Sequence, residues 1–320
     1  MSTIYLKDLH EINTKLIPEL LSSGNKGLVY ANGNTLSCKE FNSVQLVIKN
    51  PFNIGLFYNS EKMMEALSEM IFALSGRSDS LFMEIFSEEL NLNSDDYGFF
   101  TTPIGKRIYE LHGNQIYNAY NKLNENIYST QAIMNLFMNY PTYIGQDCTM
   151  TAQFLADNTG TLNCYLNYRS IDVISYLKTD AYIYSTILYI ITLWLGLDPR
   201  GRLIINTPKL FILDNHQEYA KEIINQPKVF TAEIANTEIK NILSHRNKFN
   251  LAIEIFLEGY RNKNYENLIN CCELPDFIKE IMLVLAFHTD LDKTLTIEKV
   301  KNNCKDNNPY IKNWEFFDDK

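Results

Sequence analysis

Nowhere do the six cysteines of this 320-residue chain form a Cys-x-x-Cys pair. Cys38, Cys148, Cys164, Cys271, Cys272 and Cys304 lie scattered, which excludes a sequence-local zinc site. His245 and His288 have no paired ligands nearby, so no metal is expected. No apolar run reaches bilayer length; the longest, residues 181–197, is interrupted by tyrosines. Residues 1–21 lack a basic segment followed by an apolar one, so no secretory signal is expected. Repeats and low-complexity tracts are missing too. Positive charge is in short supply: 29 Lys and Arg stand against 38 Asp and Glu, a net charge of -9, which argues against a bare nucleic-acid backbone as partner. These absences leave a reduced, cytoplasmic enzyme with free thiols, away from membranes.

What is present points to a globular core. The hydrophobic fraction of 46% and the length suffice for one large domain plus an appendage. Helical spacing predicts helices over residues 5–22, 61–75, 114–124 and 181–195, with Gly196 ending the last. Residues 23–34 read as turn-rich, and residues 43–49 and 202–205 as strands. From about residue 226 the character shifts to short amphipathic helices over 237–244, 249–260, 265–271, 275–287 and 296–303. The expected division is therefore a catalytic domain over 1–225 and a helical extension over 226–320.

The richest stretch is residues 145–180. Residues 151–155 and 162–168 carry β-branched, aromatic and aliphatic side chains around the polar turn of residues 156–160, the pattern of a hairpin. Cys148 precedes the first strand, and Arg169 and Ser170 follow the second. A hairpin brings such ends together, so a thiol nucleophile would stand beside an anion-binding pair. A nearby arginine favours the thiolate. Cys164, inside the second strand, reads as structural.

These residues carry a resemblance to the thymidylate synthase superfamily, most of all to its pyrimidine nucleotide hydroxymethylase branch. The matching residues are Asp147-Cys148-Thr149, Gln153-Phe154-Leu155, Arg169-Ser170-Ile171-Asp172-Val173 and Thr179-Asp180. Looser matches are Ser68 to Gly76, Ile104-Gly105-Lys106-Arg107 and Asp214-Asn215-His216. The resemblance implies an α/β (α+β) fold: a large mixed sheet covered by helices, here with a C-terminal helical extension. It also implies a homodimer formed through the sheet.

The resemblance assigns roles residue by residue. Cys148 would add to C6 of a pyrimidine. Glu69 would order water and relay protons. Arg169 and Ser170 would hold phosphate. Asp172 would hold the pterin of the folate, or would cap a turn. Asp180 is the base-reading position: thymidylate synthases carry asparagine there, and cytosine-acting relatives carry aspartate, whose carboxylate accepts from the N4 amino group. The same aspartate would also serve as an N-cap. The implied reaction is 5-hydroxymethylation of a cytidine nucleotide, CMP or dCMP, with 5,10-methylenetetrahydrofolate as donor. The alternatives are methylation of dUMP, or a nucleotide-binding protein that keeps the fold without catalysis.

The sequence also departs from the family pattern. The arginine expected in the loop of residues 28–34 is missing, with Lys26 the nearest cation. The arginine pair that reaches across the dimer is replaced by Thr130-Gln131. The His-x-Tyr that touches the sugar is replaced by Phe211-Ile212-Leu213, which leaves ribose and deoxyribose both open.

Overall fold

A computed structural model describes residues 2–31, 34–55, 60–86, 100, 103–138, 148–225, 231–233, 245–290 and 295–304. The chain groups into two compact units. The first joins Met1–Tyr58 with Ile108–Thr231; the second joins Asn59–Arg107 with Ala232–Lys320. The segment 59–107 thus belongs with the C-terminal residues, a pairing that no local pattern announces.

The first unit is built on a mixed sheet of eight strands among the described residues. They are β1 (Ser2–Asp8), β2 (Asn25–Ala31), β3 (Asn34–Asn50), β4 (Ile133–Asn135), β5 (Thr149–Ala156), β6 (Leu162–Tyr168), β7 (Ile171–Asp172) and β8 (Leu203–Leu213). The order is β1-β3-β8-β6-β5-β4, with β2 also on β3 and β7 also on β8. Helices cover this sheet, as the α/β reading implied. The helix Lys178–Trp194 packs on β6 and β8. Its buried Tyr184, Ile187, Leu188 and Ile191, and the buried Cys164, Leu166, Leu203 and Ile205 of the two strands, belong to one core. Nearly the whole helix is buried, so its apolar character runs all round rather than in a stripe. It ends where Gly196 adopts φ +69 and donates to Leu193 O at 3.0 Å, a conformation that favours glycine.

Two sequence expectations fail near the N-terminus. Residues 5–22 do not form one helix from their start: Ser2–Asp8 is a strand parallel to β3, and helical backbone begins at Ile12, as a π-helix over Ile12–Leu16 that runs into the α-helix Ile17–Ser23. Residues 25–31 are not turn but strand β2, paired from Asn25↔Glu40 to Ala31↔Asn34. In both cases β3 is the reason. Its 17 residues offer a long template, and partnership across strands overrides weak local propensity.

The hairpin is present as expected. β5 and β6 pair antiparallel from Thr149↔Tyr168 to Ala156↔Leu162. Asp157 Oδ1 accepts from the amides of Thr159 (2.9 Å) and Thr161 (3.1 Å), which shapes the turn. The strand expected at residues 202–205 is the start of the longer β8.

The opposite face of the sheet carries two rows of side chains set by register. One row runs Tyr5, Val47, Ile204, Tyr165, Gln153 and Ile133. The next is polar, and a chain of hydrogen bonds crosses four strands in it. Gln45 Nε2 donates to Asn206 Oδ1 at 3.0 Å, Asn206 Nδ2 to Asn167 Oδ1 at 3.2 Å, and Asn167 Nδ2 to Thr151 Oγ1 at 2.9 Å. A one-residue slip would turn these amides into the core, so the row pins the register.

The second unit is largely helical among its described residues. In Ser60–Ser75, the residues Met64, Leu67, Ile71 and Leu74 are buried, as the periodicity implied. The helices His245–Asn262, Glu266–Asn270, Asp276–Thr289 and Ile297–Asn302 match four of the five expected C-terminal helices; the fifth, over 237–244, lies outside the described residues. Phe256 sits at the centre of an aromatic group, 5.4 Å from Phe82 and 5.9 Å from Tyr265 between ring centroids. Asn250 Nδ2 donates to Ser75 O at 2.7 Å and so closes the end of the first helix of this unit.

Candidate active site

Cys148 lies immediately before β5, and its partner across the hairpin is Arg169. The amide of Arg169 donates to Cys148 O at 3.0 Å, which extends the ladder by one rung. That rung puts the two side chains side by side: Arg169 Nη2 stands 3.8 Å from Cys148 Sγ. Arg169 Nη1 also donates to Ser170 Oγ at 3.3 Å. Thiol, guanidinium and hydroxyl therefore share one end of one strand pair. Cys148 is partly exposed and Arg169 exposed, whereas Ser170 is buried.

Of the six cysteines, Cys148 is thus the one that combines access to solvent with a cation against its sulfur. Burial alone pushes the Cys164 thiol far above its ordinary value. Cys38 is pushed up to about 11, first by burial and then by the charge of Glu40. Cys304 is pushed up to about 12, again mainly by burial. Such thiols stay protonated and inert, while a guanidinium beside a sulfur favours the nucleophilic thiolate.

A bulge sharpens the arrangement. The β5–β6 register shifts between Thr149 and Thr151. Bulges re-aim side chains where ladders end. Thr149 consequently points inward at 4% exposure, and its Oγ1 donates to Asp180 Oδ2 at 3.4 Å. The Tyr168 hydroxyl donates to that same oxygen at 3.1 Å. Asp180 is therefore tied to the two residues that flank the Cys148–Arg169 pair in sequence. It does not cap its helix: the helix begins at Lys178, and Asp180 sits within the first turn. A carboxylate there is favoured by the helix dipole.

Asp172 is committed to its own chain. It caps the turn Val173–Leu177, accepting on Oδ1 from Ile174 N at 2.8 Å and Ser175 N at 3.4 Å. Its Oδ2 lies 3.4 Å from Ser175 Oγ and 3.4 Å from His216 Nδ1. Of the two sequence readings, turn cap and folate contact, the first is thus what the side chain does in this conformation. Glu69 stands in the second unit, on the helix Ser60–Ser75, partly buried between Ser68 and Met70, which are both fully buried.

The departures from the family pattern are equally visible. Thr130 and Gln131 form an exposed turn before β4. Lys26 is exposed on β2, and Phe211 is buried at 7% exposure on β8. Asp147 lies outside the described residues.

Sequence reasoning missed two contributors to the site, Tyr168 and Thr149. Tyr168 reads as a strand residue and Thr149 as a flanking one, yet both hold Asp180. Lys178 is buried at 6% exposure, and burial brings its ammonium down to about 7 against the opposing pull of Asp8. Hairpin register would have paired Thr149 with Tyr168; nothing local brings Asp180 to them. Among the described residues, no three His, Cys, Asp or Glu side chains gather to hold a metal ion. Nor is any helix among them long and apolar enough to cross a membrane.

The thymidylate synthase family model matches residues 61–267, more than half of the chain. A search of curated proteins finds no match.

Proposed function

The chain belongs to the thymidylate synthase family, and on that premise we propose that it hydroxymethylates C5 of a cytidine nucleotide, CMP or dCMP. Family membership itself carries one-carbon transfer to a pyrimidine nucleotide. The finer reading is supported by one observation: a thiol, a guanidinium and an aspartate gather at one end of the β5–β6 hairpin.

In this reading Arg169 and Ser170 hold the phosphate, by charge-assisted and neutral hydrogen bonds. Cys148 as thiolate adds to C6 of the ring, which makes C5 nucleophilic. Asp180 accepts from the N4 amino group and holds the base flat. Bound 5,10-methylenetetrahydrofolate supplies the one-carbon unit. Asp172 is the pterin contact in this reading: among the described residues its Oδ2 has neighbours at 3.4 Å, which leaves it acceptor capacity. C5 would form a bond to the donated carbon with tetrahydrofolate as the departing amine, and would then give up its proton; Glu69 would order the water that adds to the resulting exocyclic methylene carbon. Cys148 then leaves, and the 5-hydroxymethyl nucleotide is free.

The decisive assay supplies CMP, dCMP or dUMP tritiated at C5, together with the folate. Tritium release from a cytidine nucleotide is the expected result. Release from dUMP alone would instead make this a uracil methylase, and silence with all three would leave a binding protein. Asp180→Asn should move the preference toward the uracil nucleotide by about tenfold or more, since a buried site built for one hydrogen-bond pattern rejects the other. An unchanged preference would remove Asp180 from base recognition.

The sheet also supports the expected homodimer. Its outer rows combine exposed Tyr5 and Ile133 with the amide chain of Gln45, Asn206 and Asn167, a mix suited to a self-complementary contact. Sedimentation should give a dimer, and Tyr165→Glu, placed in the middle of the outer row, should give monomers. A wild-type protein that sediments as a monomer at micromolar concentration would refute the dimer.

A further inference from the structure

The reaction scheme leaves the buried hydroxyl of Tyr168 unused. This side chain is 2% exposed, at the last position of β6, directly before Arg169. A buried phenol must place its hydrogen, and this one donates to Asp180 Oδ2 at 3.1 Å. Burial, and secondarily the charge of Asp180, raise the phenol well above its ordinary value, so it remains a donor throughout the working pH range. Thr149 Oγ1, opposite Tyr168 in the hairpin register, donates to the same oxygen at 3.4 Å.

Two donors converging on one oxygen have chemical consequences. Each of the two donors is bonded more strongly by a charged oxygen than by a neutral one. The pair therefore favours the carboxylate over the carboxylic acid and fixes the plane of the group. An ionised, oriented carboxylate accepts from the 4-amino group of cytosine. It repels the 4-keto oxygen of uracil, which needs a donor there. A freed carboxyl group could turn or take up a proton and so satisfy uracil.

We propose that Tyr168 is a positioning residue that sets the choice of pyrimidine by holding Asp180 as an oriented acceptor. The proposal rests on the reading of Asp180 as the group facing the base. It makes discrimination depend on a side chain that never touches the nucleotide. Thr149 acts in the same way through the longer bond.

The test is Tyr168→Phe, which keeps the ring in the core and removes only the hydroxyl. The measurement is kcat/KM for tritium release from the cytidine and the uridine nucleotide, with binding of both to the same proteins followed by calorimetry. The expected result is a fall of about tenfold in the cytidine-to-uridine ratio, the size of losing one hydrogen bond to a charged group. The fall should come mainly from improved use of the uridine nucleotide, and Thr149→Val should give a smaller fall in the same direction, while Thr149→Ser restores the ratio. A role in stability alone would lower both values together and leave the ratio unchanged, and that result overturns the proposal. If wild-type protein prefers cytidine and Asp180→Asn shifts that preference while Tyr168→Phe does not, the positioning role falls and the base reading stands. If wild-type protein does not distinguish the two bases even in binding, both fall.

Discussion

Cys148→Ala should abolish tritium release from C5, by roughly 10⁴-fold or more, the scale seen when a covalent nucleophile is removed. The change should leave the unfolding transition where it was. Cys148 is partly exposed at a strand entry, and its loss opens no void in the core. Its neighbour across the rung, Arg169, is exposed and keeps water as a partner. Nucleotide binding should therefore survive, because phosphate and base contacts lie on other residues. Cys164→Ala is the contrasting control: that thiol is fully buried, so its removal should cost about 1 kcal/mol of stability and leave turnover intact. A Cys148→Ala protein that still releases tritium would place the nucleophile elsewhere and dissolve the site as described.

Gly201→Ala should destabilise the first unit by about 3 kcal/mol or more. A Cβ at residue 201 would come within 1.9 Å of Leu162 O and 3.3 Å of Leu188 Cδ2. The oxygen belongs to backbone at the start of β6, so no side-chain rotation relieves the clash. The adjoining rungs prevent the strands from parting: Cys164 N donates to Arg202 O at 2.9 Å, and Arg202 N to Asn163 Oδ1 at 3.0 Å. Overpacking against fixed backbone belongs to the short list of mechanisms with large effects. For a unit of this size the midpoint should fall by roughly 6–12 °C. Thermal unfolding followed by circular dichroism checks it, and an unshifted midpoint would show that β6 and β8 can separate freely. Because β6 ends in Tyr168, the same variant should lose activity as well as stability.

Much of this was legible in the residues alone, and the pattern of success has physical causes. The β5–β6 hairpin and the helix Lys178–Trp194 were readable because each combines a strong local period with punctuation, at residues 156–160 and at Gly196. The Cys148–Arg169 contact followed from the hairpin, since register alone makes ends meet. β1 and β2 escaped local reading because their pairing partner, β3, lies elsewhere in the chain and decides their state. The grouping of residues 59–107 with the C-terminal helices was invisible for the same reason. So was the attachment of Asp180 to Tyr168 and Thr149. A side chain reaching from a helix to a strand twelve residues back leaves no periodic trace.

The row of amides across the sheet bears on the order in which the chain assembles. Gln45 and Asn206 are separated by 161 positions, yet β8 is the direct neighbour of β3. During synthesis β3 can recruit β1 and β2 at once but must wait for β8 to leave the ribosome. Until then its other edge offers open hydrogen-bonding groups and alternating apolar side chains to any passing strand. Nascent chains halted before residue 203 should consequently aggregate more readily than longer ones.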